Sequence, residues 1–150
     1  FKAILRLYII QLSAILAVWL GMYYPGLDIA LSLLYLLIIL GEASYKRFSF
    51  LQQSLIGIVW QLPALFLSLT VLLGLDRATD FSYYFIFMLQ LWHTPVLPLI
   101  TLLPDFIHLD KPFYYYELFL MAPLLWTIYV LPLIKRNKSL FHQKKINPLA

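Results

Sequence analysis

Five long apolar stretches, separated by short polar breaks, constrain this chain of 150 residues more than any other feature of its sequence. Each is long enough for a transmembrane helix, which needs roughly 17–25 residues to cross the hydrocarbon core. Soluble domains carry about 25% charged residues, and one of this size buries only about two-thirds of its surface. Here 63% of the residues are hydrophobic and only 12% are charged, so a soluble fold would leave much apolar surface in water. The sequence therefore predicts an integral membrane protein. The stretches cover residues 7–24, 29–45, 51–75, 81–104 and 118–134.

The apolar stretches favour helices over the strands of a membrane barrel. They are continuous and rich in leucine, without the period-two alternation that barrel strands require. Between the first two stretches, Pro25 and Gly26 predict a turn, and Asp28 is placed to cap the helix that follows. We therefore predict an all-α polytopic bundle over residues 1–134 and a basic tail over residues 135–150.

Positively charged residues predict which ends of the helices share a side of the membrane. Lysine and arginine concentrate near the start of the chain (Lys2, Arg6), in the second loop (Lys46, Arg47) and in the tail. Cytoplasmic loops carry an excess of these residues, so we expect all three places to be cytoplasmic. Five complete crossings would instead put the two ends of the chain on opposite sides.

The fourth apolar stretch contains two prolines. If they prevent this stretch from crossing the membrane, both ends of the chain lie on the cytoplasmic side, as the charges predict. Pro95 and Pro98 have no N–H to donate to the carbonyls of Leu91 and Thr94. A break there would leave two half-helices of about 15 Å each, enough to enter the membrane and return. We predict four full transmembrane helices and a Pro-broken fourth segment that is re-entrant or kinked. A straight helix of about 36 Å would give five spans, which is the alternative.

Polar residues in the middle of the stretches are few, and they suggest a lined cavity or pathway. On helical spacing, Gln90, Thr94 and Thr101 share one face, with His93 beside them, and Gln61 lies in the third stretch. These side chains are candidates to face a substrate near the proline break. The alternative is that they satisfy the broken backbone and bond to neighbouring helices.

Small residues at steps of three and four predict two helix-packing faces. Helices in lipid gain little from hydrophobic contact with each other, so close approach over small residues drives their association. The faces can meet within the chain or bind a partner's helices. They consist of Ser13, Ala17 and Gly21 in the first stretch, and of Ser54, Gly57, Gln61, Ala64 and Ser68 in the third.

The loop before the last stretch holds the densest polar cluster and is the candidate catalytic site. His108 would act as a general base or a metal ligand, with Asp105 and Asp110 assisting, and Lys111 and Glu117 lie nearby. The alternative is an ordinary solvated loop. The spacing matches no zinc motif, and a chain without cysteine has no Cys-ligated zinc or iron–sulfur cluster. We predict no metal and no cofactor.

The basic tail predicts contact with anionic lipid headgroups on the cytoplasmic side of a plasma or inner membrane. No basic surface domain accompanies it, so a nucleic-acid partner is not predicted. The residues are Lys135, Arg136, Lys138, Lys144 and Lys145.

Three functional hypotheses follow from these patterns. The first is a small non-catalytic subunit that docks with other membrane proteins, or with copies of itself, in a larger assembly. The second is a transporter or channel component that uses the Pro-broken segment 90–101. The third is a membrane enzyme that acts on a lipid-linked substrate at the outer interface through the loop cluster.

Overall fold

The computed structural model describes residues 1–45, 48–75, 81–104, 106–108 and 111–146. Over these ranges the backbone forms helices, and two strands of two residues each pair antiparallel before the last helix. The helices are α1 (Lys2–Gly21), α2 (Leu27–Tyr45), α3 (Phe50–Leu72), α4 (Ser82–His93), α5 (Leu97–Ile100) and α6 (Tyr114–Ile146), and the strands are β1 (Ile107–His108) and β2 (Lys111–Pro112).

Four helices of the described chain are long and apolar enough to cross a membrane. They are α1, α2, α3 and the part of α6 from Tyr114 to Ile134. The prediction of a helical chain with four such segments is confirmed. The fourth apolar stretch, residues 81–104, does not provide a fifth spanning helix, because its longest helix has 12 residues. Such a helix is about 18 Å long, which is shorter than a hydrocarbon core of about 30 Å.

The helix in the fourth stretch ends where the prolines predict. The N–H of Val96 bonds to the carbonyl of His93 at 2.8 Å, and the N–H of Thr94 bonds to Leu91 at 3.3 Å. Each of these N–H groups bonds to the carbonyl three residues earlier, whereas in a continuous α-helix it would bond to the carbonyl four residues earlier. Pro95 and Pro98 cause this change because neither can donate to the preceding turn.

Three of the helix ends that differ from the apolar stretches have a clear physical cause. Helix α1 ends at Gly21, ahead of the turn in which Gly26 has a φ of +82°. Helix α3 ends at Leu72, just before Gly74 with a φ of +72°. Only glycine adopts such angles without strain. Helix α6 continues past residue 134 to Ile146, because lysine and arginine propagate a helix well and no proline or glycine intervenes.

The core centres on the contact between α3 and α6. Trp60 is fully buried and meets Tyr129 edge to face, with 6.1 Å between the ring centroids. A Cβ atom at Gly57 would lie 2.8 Å from Cδ1 of Trp126 and 3.2 Å from Cδ1 of Tyr129. Of the other members of the α3 small-residue face, Gln61, Ala64 and Ser68 are buried, and Ser54 is half-buried. Small side chains on α3 therefore make room for the large aromatic side chains of α6.

We expect Gly57→Ala to destabilise the protein and Gly41→Ala, the matched control, to stabilise it. Nothing lies within 4 Å of a Cβ at Gly41, so alanine there gains about 0.5–1 kcal/mol of helix stability. At Gly57 the same methyl group overpacks the core at a cost of about 1–3 kcal/mol. The measurement is the free energy of unfolding in mild detergent. Equal effects at the two positions would contradict the packing.

Candidate functional site

The first polar contact between helices covers a carbonyl that a proline leaves free. Pro63 lies inside α3, and its missing N–H would have bonded to the carbonyl of Val59. The hydroxyl of Tyr8, on α1, donates to that carbonyl at 3.0 Å. A side chain from a neighbouring helix thus replaces the lost helical bond.

A second contact does the same at the break between α4 and α5. Nε2 of Gln11 donates to the carbonyl of Trp92 at 2.7 Å. In a regular helix this carbonyl would accept from the N–H of Val96, which here bonds to the carbonyl of His93 instead. The hydroxyl of Tyr35, on α2, donates to Oε1 of Gln11. Gln11 is 1% exposed and Tyr35 is 2% exposed. This buried chain of hydrogen bonds joins α2, α1 and α4.

A third contact supports α6 near its second internal proline. Nε2 of Gln53 donates to the carbonyl of Tyr129 at 2.6 Å and lies 3.3 Å from the carbonyl of Ala43. Tyr129 stands three residues before Pro132, inside the turn that a proline ring distorts. Gln53 on α3 therefore joins α2 and α6.

An ion pair closes the end of the bundle at which α1 begins. Arg6 on α1 pairs with Glu42 on α2, and Glu42 is 8% exposed. The guanidinium of Arg6 also lies over the ring of Tyr45, 5.9 Å from its centroid. A buried carboxylate requires such a partner, since an isolated charge in an apolar environment is costly.

Most of the predicted lining residues bond within the protein, and the side chain of Gln90 bonds to the hydroxyl of Tyr114. Oγ1 of Thr94 donates to the carbonyl of Gln90 at 3.1 Å, and Oγ1 of Thr101 donates to the carbonyl of Pro98 at 2.9 Å. These hydroxyls satisfy their own segment, while the side chains of Gln90 and Thr101 are exposed. Gln61 is buried, and neither atom of its amide has a hydrogen-bond partner among the described residues.

His93 lies at the end of α4 and is 1% exposed. Its Nδ1 is 2.9 Å from the carbonyl of Leu89. The main chain of Leu118, on α6, also lies close to the ring. Nε2 has no hydrogen-bond partner in the part of the chain that the structure describes.

Two grooves open on the surface beside these contacts. The groove at the α4–α5 break has a volume of about 230 Å³ and is lined mainly by apolar side chains, with Gln90 and Thr94 as its polar members. The groove between α1 and α2 has a volume of about 220 Å³, and Ser13 and Ala17 form part of its wall. Gly21, the third member of the α1 small-residue face, is buried against Leu31.

The loop cluster lies largely outside the described residues. Asp105 and Asp110 are not described, nor are the side chains of His108 and Lys111, whereas Glu117 is buried in the first turn of α6. Within the described ranges, no three His, Asp or Glu residues are grouped so as to hold a metal ion. The predicted headgroup contacts also involve side chains outside the described part, those of Lys135, Arg136, Lys138, Lys144 and Lys145.

The sequence patterns did not identify the residues that hold the helices together. Four of these residues lie inside predicted apolar stretches: Gln11, Tyr35, Glu42 and Gln53. Only the prolines at 63 and 132 indicate that some carbonyls need other donors. Comparison with protein-family models, curated proteins and solved structures found no match to this chain.

We expect Gln11→Leu to destabilise the bundle by about 1–3 kcal/mol, because it leaves the Trp92 carbonyl and the Tyr35 hydroxyl without partners. Tyr35→Phe alone should cost about 0.5–1.5 kcal/mol. In the Gln11→Leu background the same Tyr35→Phe change should cost nothing, because its partner is already gone. Free energies of unfolding in mild detergent complete this cycle. Additive effects would show that the two side chains are not coupled.

Proposed function

We propose that the chain is a small integral membrane subunit, without catalysis of its own, that docks with other membrane proteins in a larger assembly. One observation carries this proposal: the interhelical hydrogen bonds of Tyr8, Gln11 and Gln53 end on main-chain carbonyls of neighbouring helices. Polar groups that would otherwise be available to a substrate are thus used to build the bundle. What the protein offers to its surroundings is then its lipid-facing surface.

The proposal includes a topology with four crossings and a re-entrant segment. Gln11 lies midway along α1, and it holds the end of α4 through Trp92. Helix α4 would therefore enter from the side on which α1 ends, reach about the middle of the membrane and return through α5. Four crossings put the residues before α1, the second loop and the tail on one side, which the positive-inside rule makes cytoplasmic. The membrane is then a plasma or inner membrane.

The groove between α1 and α2 is the surface that we assign to the docking partner. Ser13 is exposed and Ala17 is half-buried, so this small-residue face is only partly used within the chain. Exposed Leu12 and Leu16 border the face along α1. A partner's transmembrane helix fits such a strip, because small residues allow two helix backbones to approach closely in lipid.

A transporter or channel component is the second candidate, favoured by His93. Its Nε2 is buried without a partner at the end of a half-helix, the kind of element that forms substrate and ion sites in transporters. Under this hypothesis, His93→Ala abolishes transport by reconstituted vesicles while the protein keeps its fold. Transport equal to that of the unchanged protein would eliminate His93 as the basis for this function.

Cysteine labelling tests the topology, since the natural chain has no cysteine. We expect Tyr24→Cys and Phe106→Cys, both at exposed positions, to react with a membrane-impermeant maleimide from the same side of intact cells. Tyr45→Cys, also exposed, should react only after the cells are opened. Labelling of Phe106→Cys together with Tyr45→Cys would instead establish five crossings.

Capture of the assembly in a gentle detergent tests the docking proposal. We expect one other membrane protein to be recovered in a fixed ratio with the chain, and Ser13→Phe to abolish its recovery by filling the groove. Leu120→Phe enlarges a side chain that is 56% exposed on α6 and serves as the control that retains the partner. Recovery of the chain alone, or equal recovery with Ser13→Phe, would overturn the proposal.

A further inference from the structure

The side-chain amide of Gln61 is buried at the centre of α3 without a hydrogen-bond partner. Gln61 is the middle residue of the 23 in this helix and is 1% exposed. Neither Nε2 nor Oε1 of its amide has a partner among the described residues. Such groups are rare in folded proteins, because burial removes the hydrogen bonds that they make with water in the unfolded chain. Gln61 therefore lacks both a donor and an acceptor.

Gln11 shows how an equally buried glutamine is accommodated in this bundle. It is also 1% exposed, but its Nε2 donates to the carbonyl of Trp92 and its Oε1 accepts from the hydroxyl of Tyr35. The two glutamines thus share residue type and burial, and they differ in whether the protein supplies their partners. This difference indicates that the partner of Gln61 is not a group of the described chain.

The buried face of α3 continues from Gln61 towards the end of the helix at Leu72. Ala64 and Ser68 follow at steps of three and four residues, and both are fully buried. Oγ of Ser68 also has no hydrogen-bond partner among the described residues. About 10 Å of helix separates it from Gln61, with the small side chain of Ala64 between them. This strip, from Gln61 through Ala64 to Ser68, therefore carries an unpartnered polar group at each end.

Pro63 lies in the turn of α3 that follows Gln61 and disturbs its regular bonding. In membrane helices such a turn is completed by neighbouring helices, by hydroxyl side chains or by ordered water. Tyr8, on α1, donates to the Val59 carbonyl that Pro63 frees. No side chain of the described residues does the same for the amide of Gln61. Ordered water is the remaining member of this set.

The combination of donor and acceptor selects the class of ligand. A cation would bind Oε1 of Gln61 and leave the two N–H groups of Nε2 unsatisfied, and an anion would do the reverse. Water donates and accepts at once, and buried waters in proteins occupy places where polar groups are otherwise unsatisfied. The hydroxyl of Ser68 both donates and accepts as well, so water suits the other end of the strip for the same reason.

We propose that the strip from Gln61 to Ser68 binds buried water molecules. Water accepts a hydrogen bond from Nε2 of Gln61 and donates one to Oε1, and the hydroxyl of Ser68 is the second anchor. The centre of α3 is then hydrated, although its buried face is closed to the outside of the bundle. This inference goes beyond the docking role and stands whether or not a partner is captured.

The test is solid-state NMR of the full chain in lipid bilayers, in which magnetisation is transferred from water protons to side-chain amide protons. The glutamine side chains are assigned through their backbone resonances, so the natural chain suffices. We expect transfer to the amide of Gln61 and none to that of Gln11, because Gln11 has protein partners at both amide atoms. Absence of transfer to Gln61, or equal transfer to both glutamines, would overturn the proposal.

Variants of the strip test where the water lies. Ala64→Val adds two methyl groups inside the strip and should abolish the transfer to Gln61 by displacing the water. Ala30→Val, the matched control, makes the same change at an exposed position of α2 and should leave the transfer unchanged. Ser68→Ala removes the second anchor without adding bulk, should weaken the transfer, and serves if Ala64→Val does not fold. Undiminished transfer in either strip variant would overturn the proposed site.

Discussion

A main-chain carbonyl that is released inside the apolar interior of this bundle has no water to bond with, and the rest of the fold depends on how that need is met. Pro63 and Pro95 interrupt the helical bonding of two segments. Helix α1 supplies the hydrogen-bond donors at both places, because Tyr8 and Gln11 lie three residues apart on the same face of α1. Proline and its compensating side chain therefore work as a pair: the first allows the chain to bend, and the second fixes where the bend sits.

This arrangement explains why so small a bundle carries so many polar groups in its interior. In the membrane location that we propose, burial of apolar surface does not hold helices together, so shape and hydrogen bonds must do so. Gly57 provides the shape by letting Trp126 and Tyr129 approach α3, and Gln53 provides the hydrogen bonds between α3 and its two neighbours. Interior polar groups are therefore largely part of how the helices are held together, although the amide of Gln61 and Nε2 of His93 are buried without a partner among the described residues.

The helices could be predicted from the sequence, but the hydrogen bonds between them could not. Continuous apolar stretches have one stable solution in lipid, and two prolines within one turn have few, so the helices and the break were within reach of prediction. The partners of Gln11 and Gln53 were not, since periodicity assigns a side chain to a face but does not say which carbonyl will stand opposite. Helix α6 also extends beyond its apolar stretch, because the residues after position 134 keep a high helix propensity although they are no longer apolar.

The hydrogen bond between Gln11 and Trp92 joins residues that are 81 positions apart in the chain. During synthesis at about 5–20 residues per second, roughly 4–16 s pass between the making of the two partners. For the later part of this interval α1 has left the ribosome, while the carbonyl that will accept the hydrogen bond of Gln11 has not yet been made. Gln11 therefore needs another partner, such as water, until Trp92 has been made, and the order of translation becomes part of how this bundle assembles.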